Sequence, residues 1–282
     1  MRALLPGLVI GLGWAFAAPA AHAADLGDSW LRGSMPAYGD SEPTGAWGGF
    51  YIGVQGGYSN ANIDFGTANS SQIAYILRNT TVESEGRVSS WTTLPERDMR
   101  NGSYGFLVGY NSQWEDVVLG VELNYNHTNL DARASDSLGR SYVTSDQYRY
   151  NVNIDAESRV RMTDYATLRA RAGYDLGNFL PYATLGFAIG RADVWRTTSV
   201  AATAVDQSGA GRPNLALNPN PTVVTERKKD TFAYGISAGL GLDILLTENL
   251  FLRGEYEYVR FASFSDVNLN IHNVRGALAA KF

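Results

Sequence analysis

The sequence predicts an all-β chain: eight antiparallel strands closed into a barrel, with short turns at one mouth and long loops at the other. Three observations predict it. The first is alternation: Phe232, Tyr234, Ile236, Ala238, Leu240, Leu242, Ile244 and Leu246 fall on one face, against Ala233, Gly235, Ser237, Gly239, Gly241 and Asp243. Side chains along a strand point to opposite faces with period two, so this stretch carries one greasy and one polar side. The second is that nothing after Ala23 approaches the ~18 consecutive apolar residues of a membrane-spanning helix. The third is that short and long connections alternate along the chain. A soluble β-sandwich turns its apolar faces inward, whereas a transmembrane barrel turns them to lipid.

The amino terminus favours export. Met1-Arg2 gives a positive start, Leu4 to Ala18 is an apolar run, and Ala21-His22-Ala23 is a small-x-small cleavage site. Residues 1–23 therefore read as a secretory signal and Ala24 as the mature start. Residues 24–47 mix Asp, Gly, Pro and Ser without period and read as a flexible periplasmic lead-in. Residues 48–282 are left for the barrel.

The expected strands are Gly49–Ser59, Ser103–Trp114, Val117–Asn129, Tyr165–Leu176, Phe179–Val194, Phe232–Leu246, Leu250–Phe261 and Ile271–Phe282. Strand one turns Phe50, Ile52, Val54 and Tyr58 outward, and strand two does so with Tyr104, Phe106, Val108 and Tyr110. Val117, Leu119, Val121, Leu123 and Tyr125 of strand three oppose Gly120, Glu122, Asn124 and Asn126. Leu168, Ala170, Ala172 and Tyr174 oppose Arg169, Arg171, Gly173 and Asp175 in strand four, and Leu185, Phe187 and Ile189 face out in strand five. Glu115-Asp116, Gly177-Asn178 and Thr247-Glu248-Asn249 are tight turns. The connections after strands one, three and five are long, which puts them all at one mouth. Aromatic girdles are expected from Trp114, Tyr174 and Phe282 at the turn side, and from Tyr58, Tyr125, Trp195 and Phe232 at the loop side.

Composition narrows the function classes. The chain has no Cys to staple it. A formal net charge of −5 argues against a nucleic-acid partner. At inward positions stand five acids and five bases: Glu122, Asp175, Asp243, Glu255 and Glu257, with Arg169, Arg171, Arg253, Arg275 and Lys281. An eight-stranded lumen is only wide enough for side chains to fill, and guanidinium forks favour paired carboxylates in so tight a space. The expectation is a charge network that plugs the barrel; a narrow ion path through the same charges is the alternative.

Ala23-Ala24-Asp25-Leu26, Gly49-Phe50-Tyr51-Ile52-Gly53, Leu119-Gly120-Val121-Glu122, the run Leu168 to Tyr174, Leu180-Pro181-Tyr182-Ala183 and Val274 to Phe282 form an ordered set. With them, the chain from Gly48 onward resembles the small outer-membrane β-barrels of alphaproteobacteria, also called opacity-type porins or outer-membrane immunogenic proteins, whose barrel is similar to that of OmpA. The resemblance implies an outer-membrane location and no shared catalytic residues. It also implies that the terminal strand, with Val274, Leu278 and Phe282, is what the barrel-assembly machinery recognises.

Three further sets of residues are candidates for function. Arg191, Arg196, Arg227, Lys228, Lys229 and Arg260 lie at predicted loop-side strand ends, where lipopolysaccharide phosphates sit. His127 and His272 read as solvated loop-edge residues rather than ligands of hemin, which some members of the resembled family bind, and no cofactor is expected. An acyl-hydrolase triad from His127-Thr128-Asn129 and Ser137 has no nucleophile signature behind it, so no enzyme is expected. The first loop holds apolar Ile73-Ala74-Tyr75-Ile76-Leu77, suited to a hairpin above the membrane or a contact with another protein. The third, with Pro213, Pro219 and Pro221, reads as extended and mobile. The function these features favour is an outer-membrane barrel supporting the envelope and interacting through its loops, with a small porin or a hemin or host-ligand receptor as alternatives.

Overall fold

Strands β1 (Gly49–Asp64), β2 (Arg97–Trp114), β3 (Val117–Val143), β4 (Tyr148–Tyr174), β5 (Phe179–Asp206), β6 (Leu215–Thr247), β7 (Leu250–Phe264) and β8 (Val267–Lys281) pair in chain order, and β8 returns to β1 to close the barrel. The structure, a computed structural model, describes residues 46–264 and 266–282. The proposed signal sequence, His22, the Ala23-Ala24-Asp25-Leu26 motif and the lead-in as far as residue 45 lie outside the described residues.

Every pairing is antiparallel, and the seam runs from Tyr51↔Lys281 to Asp64↔Asn268. The Phe282 amide donates to the Phe50 carbonyl at 2.8 Å, so the carboxyl-terminal residue is tied to the start of β1. The β4–β5 turn needs a left-handed residue and has one, Gly177 at φ 77°.

Around the lower barrel the outward positions carry exposed large apolar side chains, among them Phe50, Ile52, Val54 and Tyr58 on β1 and Leu185 and Phe187 on β5. From Phe50 to Tyr58 the strand rises about 26 Å, or roughly 20 Å along the axis at the tilt usual for such barrels. That matches a lipid-facing band. Leu185 is 66% exposed and Phe187 75%, values that water around a monomer would penalise and a bilayer would not.

The strands run well past this band. Pairing of β2 with β3 stops at Ser103↔Thr128 and pairing of β6 with β7 at Gly235↔Phe261. In contrast, β3–β4 pairing continues to Val143↔Arg149, β4–β5 to Tyr148↔Asp206, and β5–β6 to Ala204↔Leu215. Four strands thus project from the long-loop mouth as an open curved sheet. Above the rim the sense of the alternation inverts: Val152, Ile154, Val200 and Ala202 point inward and are buried, while Asn153, Asp155, Ser199 and Thr203 point outward.

Their inward face is covered by the β1–β2 connection, which carries helices α1 (Ser70–Ile76) and α2 (Thr81–Gly86) and a 3-10 turn at Val88–Ser90. Ile73, Leu77, Val82 and Val88 pack on Tyr148, Tyr150, Val152 and Val200. Tyr142 donates to the Val82 carbonyl at 2.5 Å, and Glu85 accepts from the Ser145 amide at 2.9 Å.

Several expectations change here. Strands three to six are far longer than predicted, so the connections after β3 and β5 shrink to residues 144–147 and 207–214. The segment Ile73–Leu77 is the end of α1 and its C-cap, packed inside the projecting sheet because Ile73 and Leu77 find an apolar wall there. Pro219 and Pro221 lie within β6 where its register with β5 jumps from Val200↔Thr222 to Ala202↔Asn218, so a missing amide donor costs no ladder bond.

Candidate functional site in the lumen and at the rim

Eight charged side chains meet in the middle of the barrel. Strand parity turns Glu122 (β3), Arg169 and Arg171 (β4), Asp243 (β6), Arg253, Glu255 and Glu257 (β7) and Arg275 (β8) inward. Register then sets opposite charges side by side: Glu122↔Arg169, Asp243↔Arg253 and Glu255↔Arg275.

The pairs do not stay along the wall. Arg169 reaches Glu255 at 2.6 Å and Glu257 at 3.0 Å, and also bonds Glu122. Arg171 meets Asp243 at 2.5 Å, Arg253 meets Asp243 at 2.8 Å and bonds Glu122, and Arg275 meets Glu257 at 3.1 Å and bonds Glu255. Neutral groups occupy further lone pairs. Tyr51 donates to Glu122 at 2.7 Å, Tyr182 to Glu255 at 2.6 Å, and Asn273 to Glu257 at 3.0 Å. The Arg171 guanidinium also lies 3.7 Å from the Tyr182 ring centre. Four cations and four anions, all essentially buried, fill the cross-section with no net charge.

Asp175 and Lys281 were expected in this network, and the structure corrects both. β4 ends at Tyr174, so Asp175 sits in the turn, where it accepts from Trp47 Nε1 at 3.1 Å and Gln113 Nε2 at 2.7 Å. Lys281 closes β8 at the same mouth and donates to the Ala46 carbonyl at 2.7 Å. Trp47 was assigned to the flexible lead-in, yet it is buried beneath the barrel with Tyr51, Leu107, Val118, Leu180 and Phe251. An isolated tryptophan before the first strand gave no signal of this role.

Above the network a third layer closes the wide mouth. Asn69 donates to the Glu157 carbonyl at 3.2 Å, the Thr197 carbonyl at 3.1 Å and Thr198 Oγ1 at 2.7 Å, which fixes α1 in place. Arg196 donates to the Ala68 carbonyl at 2.7 Å and pairs with Asp266 at 3.3 Å. Its predicted place on the outer rim is therefore wrong: at an even position of β5 it points inward and is 5% exposed.

Of the other rim candidates, Arg191, Arg227 and Arg260 face outward and Lys229 is exposed at a bulge: Arg191 bonds Asp164 at 3.0 Å and Arg227 lies 5.1 Å from the Trp195 ring. Lys228, opposite the buried Val194, shares the inward face with Arg196 and pairs with Glu226 at 3.1 Å, a second correction to the predicted rim. Arg133, Arg159 and Arg161 join the outward-facing set, unforeseen because the strands that carry them were ended too early. Two β-bulges mark this level, one at Thr163–Asp164 of β4 and one at Lys229–Asp230 of β6, where Asp230 has φ 52°.

His127 and His272 are strand residues rather than loop-edge ones, placed 2.8 Å from Asp164 and 2.7 Å from Tyr256. Ser137 bonds Asp155 at 2.6 Å and lies ten residues up β3 from His127, about 34 Å along the strand, so the hypothetical triad is not assembled. At the seam, Val274 and Leu278 of β8 face outward and Phe282 is exposed at its end.

A ring of eight antiparallel strands with an apolar outer band and a polar interior defines an integral outer-membrane barrel. Residues 10–282 match the outer membrane protein beta-barrel domain family, and the chain belongs to that family. It is similar to the 22 kDa outer membrane protein of Rhizobium leguminosarum bv. viciae, 25% identical over 226 residues, 79% of this chain and 68% of that protein. It is also similar to the 25 kDa outer-membrane immunogenic protein of Brucella ovis, 23% identical over 248 residues, 88% of this chain and 84% of the other. Among solved structures, the outer membrane protein OprG from Pseudomonas aeruginosa aligns over 83% of this chain and 96% of its own, at 13% identity and a TM-score of 0.36. The short-turn mouth is accordingly periplasmic and the projecting sheet extracellular.

Proposed function

We propose that this protein is a sealed structural barrel of the outer membrane, without catalytic activity, that supports the envelope and meets its surroundings through the extracellular sheet. The observation that carries the reading is closure at three levels: Trp47 below, the neutral eight-charge network in the middle, and the α1–α2 segment above. Any one layer would narrow a pore; three in series leave a solute no continuous aqueous path. Liposomes carrying the protein should not swell in an isotonic pentose, and swelling at the rate of a general porin would overturn the proposal.

The basic rim supports a second element. Arg191, Arg227, Lys229 and Arg260 stand where the lipid-facing band ends, at the level of lipopolysaccharide phosphates, which guanidinium groups bind well. Neutralising Arg227 and Lys229 together should weaken retention of lipopolysaccharide by the purified protein. The terminal strand ending in Phe282 is the proposed signal to the barrel-assembly machinery, and Phe282→Ala should slow folding in cells more than refolding in detergent.

A further inference from the structure

The outward face of the projecting sheet changes in chemistry with height. Just above the bulges stands a mixed row, Asp131↔Arg161↔Asp193, and above it a basic and aromatic one: Arg133↔Arg159↔Trp195↔Arg227 stand side by side on β3 to β6. Arg159 and Arg227 flank the half-exposed Trp195 ring at 5.4 and 5.1 Å.

Higher rows hold no cation until the tip. Ser135↔Glu157↔Thr197 is followed by Ser137↔Asp155↔Ser199, then Gly139↔Asn153↔Ala201, then Ser141↔Asn151↔Thr203. β4 supplies a column of planar carboxylates and amides, flanked on β3 and β5 mostly by small or hydroxyl side chains. Ser135, Ser137, Asp155, Glu157, Thr197 and Ser199 line a depression of about 280 Å³ in this face. On β3 to β5 no large apolar residue interrupts it between Trp195 and Val143 or Val205 near the tip; Val223 of β6, opposite Ser199, borders it on one side.

Planar carboxylates and amides beside hydroxyls bond pairs of neighbouring sugar hydroxyls, and an aromatic ring beside them offers a platform for a sugar face. A lipopolysaccharide chain leaving the outer leaflet presents the matching gradient, with phosphates and acidic sugars at its base and neutral sugars beyond. We propose that this face, from Arg159, Trp195 and Arg227 upward along Glu157, Asp155 and Asn153, is a binding site for the saccharide chain of lipopolysaccharide in the same membrane. The proposal rests on the lipopolysaccharide reading of the basic rim and extends it from phosphate to sugar.

The test compares four probes on the full mature protein in detergent micelles: smooth lipopolysaccharide, lipopolysaccharide truncated to its lipid and innermost sugars, the delipidated polysaccharide, and a heparin fragment. Smooth lipopolysaccharide should bind more tightly than the truncated form, and the delipidated chain should compete. Trp195→Ala and the double variant Asn153→Ala/Asp155→Ala should each lose about tenfold in affinity for the smooth form, the equivalent of one or two lost contacts. The double variant should leave the truncated form unaffected. All three substituted side chains face outward, and the heat-modifiable gel shift of each variant checks that the barrel has formed. Equal wild-type affinity for smooth and truncated forms would overturn the saccharide site while the phosphate reading stood. Absence of binding to either would overturn both, and preference for heparin over every lipopolysaccharide form would assign the face to sulfated polysaccharides instead.

Discussion

Arg169 of β4 and Glu255 of β7, three strands apart around the ring, meet 2.6 Å from each other on the barrel axis side of their strands. A cross-strand partner would have satisfied each locally: Glu122 stands opposite Arg169 and Arg275 opposite Glu255. The extra bond across the lumen ties walls that share no backbone hydrogen bond, and it makes the interior a brace as well as a plug.

A brace of this kind fails when one charge is removed. Arg253→Met would strip Glu122 and Asp243, both fully buried, of a shared partner. The expected loss is about 3–5 kcal/mol, the usual cost of orphaning a buried charge. Urea unfolding in detergent checks it, and the temperature at which the folded gel band disappears should fall in parallel. Arg171→Met should act in the same direction through Asp243.

The upper closure depends on Asn69. Its side-chain amide holds two carbonyls and one hydroxyl that link α1 to β4 and β5. Asn69→Ala should release about 1–3 kcal/mol of local stability, the cost of stranding buried acceptors. Limited proteolysis should then nick the segment between β1 and β2 while the barrel band survives intact.

Close approach of strands sets another limit. A Cβ placed on Gly186 of β5 would collide with the Leu168 carbonyl and lie 2.6 Å from Arg169 Cα on β4. Gly186→Val should therefore cost about 1–3 kcal/mol by overpacking and displace Arg169 as it does so. Gly177→Val, where the turn needs positive φ, should also destabilise, through backbone strain rather than packing.

At the tip of the projecting sheet, hydrogen bonds from Ser208 and Arg212 hold the Asp206 carboxyl well below its usual range. A carboxylate with a depressed folded value stabilises above its ordinary value of 3.8 and loses that contribution as pH falls through the folded value. The 207–214 turn should thus keep its protection at neutral pH and loosen below about pH 4. Hydrogen exchange of that turn, corrected for the chemical rate, reads it; protection unchanged down to pH 2 would contradict the assignment.

Much of the barrel was legible because lipid enforces a strict outward pattern. The lower strands follow from period two; the same rule offered ten inward charges, of which the barrel brings eight together and leaves Asp175 and Lys281 at the short-turn mouth. The same rule misled above the rim. There water replaces lipid outside and α1 replaces polar side chains inside, so residues such as Val200 and Ala202 become apolar on the inward face. A strand whose greasy side changes hands looks in sequence like a strand that ends. The misplaced Arg196 has the same origin, since its parity matters only if β5 continues. Trp47 was illegible for another reason: its partners Asp175 and Phe251 lie more than a hundred residues away.

Single-channel recording in planar bilayers tests the sealed lumen most directly, with wild type beside an Arg169→Met/Arg171→Met double variant. Silence from the wild type is the predicted result, and silence from the variant too, because Trp47 and the α1–α2 segment still close the two mouths. Stable, charge-selective conductance through the wild type would contradict it and make the eight charges a selectivity element.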